Sequence, residues 1–234
     1  MATFVLVHGA WHGGWCWQRV AKRLRAQGHE VFAPSLTGLG DRAHLLGPQI
    51  NLSTHVEDIA NIFGSYDLED VVLCGHSYGG LVITAVADRM PGRIRSLVYL
   101  DALVPEDGQS MFDTLPQEGV EVFEAGAAEG DGFSVPPMTG EQFGVNEADV
   151  AWMNDKCSNH PVGCFTERLA LTGAHARITK RTYILAAGFD HPSTRAHYDV
   201  FKNDPSWQAL VIDGGHDLMI DNPVGIAEAL MAQV

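Results

Sequence analysis

Val71-Val72-Leu73-Cys74-Gly75-His76-Ser77-Tyr78-Gly79-Gly80-Leu81-Val82 decides the reading of this chain. Val71 to Cys74 is a continuous apolar run, as expected of a strand buried on both faces. Leu81, Val82, Ala85 and Val86 recur at helical spacing, so the run passes directly into a helix. Between them Gly75-His76-Ser77-Tyr78-Gly79 fits G-x-S-x-G in the strand–turn–helix setting that gives the pattern its meaning. A turn this sharp needs small residues on either side of the serine, and Gly80 lets the helix pack closely. The turn lifts the serine oxygen to the sheet edge and to a helix N-terminus, where developing negative charge is favoured. Ser77 is therefore the expected nucleophile.

Strand and helix signals alternate outward from this turn. Upstream, Thr3 to Val7 reads as a strand ending in His8-Gly9. Trp17, Val20, Ala21 and Leu24 mark a helix closed by Gly28. Glu30 to Ala33 reads as a second strand stopped by Pro34. A polar loop, Ser35 to Asn51, leads to a helix with the apolar face Val56, Ile59, Ala60 and Phe63, for which Ser53 or Thr54 is the expected cap. Downstream, Ile94 to Leu100 is a strand. Residues 104–178 then break the alternation with Gly, Pro and acidic groups, and show helical stretches only near 141–155 and 165–172. The pattern resumes with strands at Tyr183 to Ala187 and Ala209 to Ile212 and helices at Thr194 to Phe201 and Pro223 to Met231. The expectation is one α/β domain: about six mostly parallel strands flanked by helices, with a cap inserted at about 104–178 over the edge where such sheets bind ligands.

The 234 residues carry a formal charge of −14. An acidic chain repels nucleic acid and anionic membrane surfaces, so neither is an expected partner. No apolar stretch reaches the roughly 18 residues of a membrane span. The start, Met-Ala-Thr before Phe4 to Val7, shows no secretory leader, and the expected compartment is the cytoplasm. Cys16, Cys74, Cys157 and Cys164 match no zinc or redox spacing and are expected as free thiols, with a Cys157–Cys164 pair left open. The eleven histidines lack ligand spacing, and no phosphate-binding loop is present, so no metal or cofactor is expected. A homodimer is left open.

A serine nucleophile needs a base. His216, in Asp213-Gly214-Gly215-His216-Asp217 after the last strand, is the expected one. Two acids compete to orient it. Asp190 follows the penultimate strand, and Asp101 ends the strand after the nucleophile helix. The loop His8-Gly9-Ala10-Trp11-His12-Gly13-Gly14-Trp15 is glycine-dense enough to bring backbone to a substrate. Ala10 and Tyr78 are the expected N–H donors of an oxyanion hole. Trp11 and His76 are expected to touch substrate, and Trp15 and Trp17 to pack in the core.

His8-Gly9-Ala10-Trp11-His12-Gly13-Gly14-Trp15-Cys16-Trp17, together with the Ser77 turn, resembles the branch of the α/β-hydrolase superfamily that holds plant methyl esterases, plant hydroxynitrile lyases and small bacterial esterases. The resemblance spans nearly the whole chain and weakens in the cap. It implies an esterase rather than a lyase. The lyases carry threonine where this chain has Gly9 and lysine just after the catalytic histidine, where Asp217 and Leu218 stand here. The similar bacterial members keep an aspartate at the Asp101 position and often lack one at Asp190, which favours Asp101. The expected substrate is a small, apolar or aromatic ester. A lyase on the same residues, or a weakly catalytic binding protein, is the alternative.

Overall fold

In a computed structural model describing all 234 residues, the apolar runs lie side by side as one six-stranded sheet. Its strands are β1 (Thr3–Val7), β2 (Glu30–Phe32), β3 (Val71–His76), β4 (Ile94–Leu100), β7 (Arg181–Ala186) and β8 (Trp207–Ile212). They stand in the order β2-β1-β3-β4-β7-β8, and every neighbouring pair is parallel. Phe4 to Val7 and Val71 to Cys74 are wholly buried. Fully burying such a side chain contributes roughly 1.5–3 kcal/mol, which is why these runs occupy the centre and not the edge.

The helices that flank the sheet are α1 (Gln18–Ala26), α2 (Leu52–Ser65), α3 (Gly79–Arg89), α7 (Pro192–Phe201) and, after the last strand and a short turn α8 (Leu218–Asp221), α9 (Pro223–Met231). The cap of α2 is Asn51, two residues before the expected Ser53. Its side chain accepts from Thr54 N–H at 3.0 Å while Thr54 Oγ1 accepts from Asn51 N–H at 3.4 Å, a reciprocal capping box. Ser53 is engaged elsewhere, donating from N–H and Oγ–H to Glu167.

Between β4 and β7 the chain leaves the sheet. This excursion contains α4 (Gln117–Glu129), an antiparallel pair β5 (Ser134–Val135) and β6 (His160–Pro161), α5 (Glu147–Lys156) and the single turn α6 (Gly163–Thr166). Helix α4 has no counterpart in the sequence expectations. Gly119 and Gly126 interrupt it and only Val120 and Ala127 are buried, so its periodicity is faint. Conversely, the helix expected at 165–172 is limited to α6, and residues 167–172 are irregular.

The chain runs from β1 outward to β2 and then crosses back to β3 on the other side of β1. The carboxyl ends of β1 and β3 therefore flank the switch point of the sheet, where a crevice opens. The glycine-dense loop leaves from one and the Ser77 turn from the other.

Candidate active site

Ser77 follows β3 with φ +53, the left-handed region that an L-residue enters at a cost of about 1–3 kcal/mol. Packing enforces it. A Cβ at Gly75 would lie 2.6 Å from Gly79 O, one at Gly79 would lie 2.8 Å from His8 O, and one at Gly80 would lie 2.0 Å from Leu103 O. The Ser77 N–H extends the ladder to Leu100 O at 3.2 Å, and its carbonyl accepts from Gly80 and Leu103 N–H. The side chain is left half-exposed on a cavity.

At the end of the adjacent strand β4, Asp101 repeats the left-handed backbone at φ +41. It is wholly buried. One carboxylate oxygen accepts from Ala186 N–H at the end of β7 (3.2 Å), and the other accepts from His216 Nδ1–H at 2.7 Å. The His216 ring is thereby left with Nε2 as its free lone pair. Its backbone N–H donates to Phe143 O at 2.9 Å, and a Cβ at Gly215 would sit 2.2 Å from Gly144 O, so the excursion presses directly on the histidine loop. Asp190, the competing acid, is on the surface: its side chain is 88% exposed and lies 3.5 Å from Arg195 Nε.

Ser77 and His216 open onto one cavity of about 250 Å³. Ala10, Trp11, Leu103, Met111, Phe123 and Phe189 are among its walls. The expectation that His76 touches substrate fails. Its ring is buried away from the cavity, and its Nε2–H donates to the His216 carbonyl at 3.0 Å. Burial holds it well below the usual histidine range, so it is a neutral prop beneath His216.

Ala10 and Tyr78 are buried residues, and neither backbone N–H donates to an acceptor in the protein. Buried backbone donors are nearly always paired, so two unpaired ones flanking Ser77 stand out. The loop carrying Ala10 is held from behind. Trp11, at φ +63, has all three of its polar groups engaged by the excursion: N–H to His160 Nδ1 (3.2 Å), indole N–H to Val135 O (3.0 Å), and its carbonyl accepting from Ser158 N–H (3.0 Å). Sequence reasoning missed His160, because nothing local marks it as a partner of residue 11.

His12 donates from Nδ1–H to Ala10 O at 2.7 Å, and its Nε2 lies 3.0 Å from Asp217 Oδ1. Burial alone would lower the His12 pKa, but the adjacent Asp217 carboxylate outweighs it and holds the imidazole above its usual range. Asp217 is itself lowered by that imidazolium against the desolvation of a wholly buried carboxylate. Trp15 stacks on the same ring at 5.3 Å.

His55, His160 and Cys164 bring three ligand-type atoms within 4.8 Å of one another behind Tyr78. Hydrogen bonds already use the His55 nitrogens: Tyr78 O–H donates to Nδ1 (3.0 Å) and Nε2–H donates to Thr37 O (2.9 Å). The Trp11 N–H occupies the His160 Nδ1 lone pair, and burial pushes the Cys164 thiol well up. Three of the four ring nitrogens are thus engaged, whereas His160 Nε2 is buried without a partner.

The model of the Alpha/beta hydrolase family matches residues 4–229, and the chain belongs to that family. A carbendazim hydrolyzing esterase of Nocardioides sp. (strain SG-4G) is 42% identical over 240 residues, covering 99% of each chain. Methyl jasmonate esterase 1 of Vitis vinifera is 37% identical over 103 residues, 44% of this chain and 40% of that one. Among solved structures, an extracellular alpha/beta-hydrolase from a Paenibacillus species superposes with a TM-score of 0.86 at 25% identity, covering 100% of this chain and 98% of that one. No helix is long and apolar enough to cross a membrane.

Proposed function

We propose that this chain is a cofactor-free carboxylic ester hydrolase working through Ser77, His216 and Asp101. The esterase relatives support the reaction class. The observation that carries the assignment of residues is the buried Asp101–His216 hydrogen bond opening onto the same cavity as Ser77. Asp101 fixes the tautomer in which His216 Nε2 is the base. His216 takes the Ser77 proton as the oxygen attacks the ester carbonyl, and the Ala10 and Tyr78 N–H groups receive the oxyanion. The imidazolium then protonates the departing alcohol. Water, deprotonated by the same histidine, releases the acid and restores Ser77.

We read the excursion between β4 and β7 as the cap that roofs the cavity. The lining is mainly apolar and aromatic and contains no Lys, Arg, Asp or Glu, which favours small, uncharged apolar or aromatic esters. Two polar side chains in the wall have an acceptor already occupied: Thr139 N–H donates to Gln142 Oε1 (2.9 Å), and Ser193 N–H to His191 Nδ1 (3.3 Å). Four free cysteines suit a reducing compartment, the cytoplasm.

The lyase alternative has two features against it. A Cβ at Gly9 would meet His76 Nδ1 at 2.8 Å and Ser77 Cβ at 2.9 Å, leaving no room for a threonine. The position after His216 holds Asp217, a buried carboxylate paired with His12, so no lysine stands there to hold a leaving cyanide as an anion. The test is labelling with a fluorophosphonate probe beside turnover of aryl and alkyl esters and mandelonitrile. Ser77 is expected to be labelled, and Ser77→Ala to abolish both labelling and ester turnover. Ester hydrolysis surviving in Ser77→Ala, or faster cyanohydrin cleavage, would overturn the reading.

A further inference from the structure

We infer that His8 is a positioning residue for the oxyanion hole: it locks the plane of the Gly9–Ala10 peptide, whose N–H is the Ala10 donor. The inference rests on the reading of Ala10 as an oxyanion donor. His8 stands at the end of β1 and is wholly buried. The Leu36 N–H donates to its Nε2 at 3.0 Å, so that nitrogen must keep its lone pair. Burial lowers the ring's pKa to about 3, and the imidazole is neutral at any working pH. The one remaining proton is therefore on Nδ1, and it donates to the Gly9 carbonyl at 2.8 Å.

In a planar trans peptide the C=O and the N–H point in opposite directions. Holding the Gly9 oxygen on His8 thus aims the Ala10 hydrogen away from His8. That hydrogen has no acceptor within the protein. Position 9 needs such a lock. The contacts of its missing Cβ with His76 and Ser77 admit only glycine. Glycine is also the residue whose backbone dihedrals turn most freely, so the same peptide that must face the oxyanion is the one most able to flip. His8 removes that freedom from one side, and His12, donating to the Ala10 carbonyl, restrains the next peptide.

Two conservative variants separate the roles of the two ring nitrogens. Asparagine places an amide N–H near the Nδ1 position and keeps the bond to Gly9 O. Glutamine places its amide near Nε2, keeping an acceptor for Leu36 but losing the donor to Gly9 O. His8→Gln is expected to lower kcat roughly 10- to 100-fold, with KM within about twofold, since a misaimed donor loses part of an oxyanion-hole contribution. His8→Asn is expected to recover most of that loss, with rates normalised to fluorophosphonate-titrated sites. Equal losses in both variants, or a His8→Gln enzyme as fast as the parent, would overturn the inference. Should His8→Gln not fold, ¹⁵N NMR of the unmodified protein decides: the Nδ1–H tautomer supports the lock and the Nε2–H tautomer sinks it. Turnover that depends on Ser77 but ignores His8→Gln defeats this inference alone, whereas turnover independent of Ser77 defeats the proposed function itself.

Discussion

His216 Nδ1 lies 2.7 Å from Asp101 Oδ2 across 115 residues of chain. The contact exists because β4 pairs with β7 in parallel register, Leu100 opposite Ile184, so the turn after β4 is roofed by the end of β7. The Asp101 N–H donates to Ile184 O at 2.6 Å and its carboxylate accepts from Ala186 N–H. A carboxylate clamped at its backbone and at one oxygen presents the other oxygen in a single direction, and His216 occupies it.

From this follows the first expectation. Asp101→Asn should lower kcat by about 10²- to 10⁴-fold, because the amide no longer enforces the base-competent tautomer. Asp190→Asn should leave kcat within about twofold, since that side chain is exposed and faces only Arg195. Steady-state kinetics on one activated ester decides between them. A large loss at Asp190 with none at Asp101 would invert the assignment.

Gly9→Thr probes the tightest contact at the site. Its Cβ would need to displace the His76 ring and Ser77. Overpacking of this kind costs about 1–3 kcal/mol, and here it also moves the nucleophile. The expected result is a lower thermal midpoint and a kcat reduced at least about tenfold, with no cyanohydrin cleavage gained. A threonine variant with parental kcat would show that the turn yields freely.

Trp11→Phe keeps an aromatic wall but deletes the indole N–H that Val135 O accepts. Losing one hydrogen bond to that buried carbonyl costs about 0.5–1.5 kcal/mol. Urea unfolding should register that loss, and kcat should fall with it because the clamp on the Ala10 loop loosens. An unchanged midpoint would mean that the β5–β6 pair does not hold the loop.

Stability should fall steadily as pH drops below about 6.5. Burial lowers His8 to about 3 and His55 and His197 to about 4, and lowers His76 and His160 as well. In the window between each lowered value and 6.5 the unfolded chain binds a proton that the folded chain refuses, so stability rises with pH there. Each such group contributes a slope of about 1.4 kcal/mol per pH unit. His12, raised by Asp217, acts in the opposite window: its contribution is complete below 6.5 and is lost as pH climbs through its folded value. Urea midpoints at pH 5 and 7 test the sum, and equal midpoints would contradict it.

The alternation of buried apolar runs with helical periodicities was enough to read six strands and the flanking helices, because those patterns are local and each residue's period is visible in its neighbours. The Ser77 turn was legible because strand, G-x-S-x-G pattern and helix are contiguous in the chain, although its glycines also answer contacts with His8 and Leu103. Helix α4 was not legible, since Gly119 and Gly126 blur its period and its partner is a cavity, not a core. Only the tertiary structure decided that Asp101 faces His216 while Asp190 points to solvent, that His76 supports His216 from below, and that His160 and Val135 grip Trp11. The contacts among them are hydrogen bonds between residues more than a hundred positions apart. Such bonds follow from strand order and from where the excursion folds back, and no periodicity along the chain encodes either.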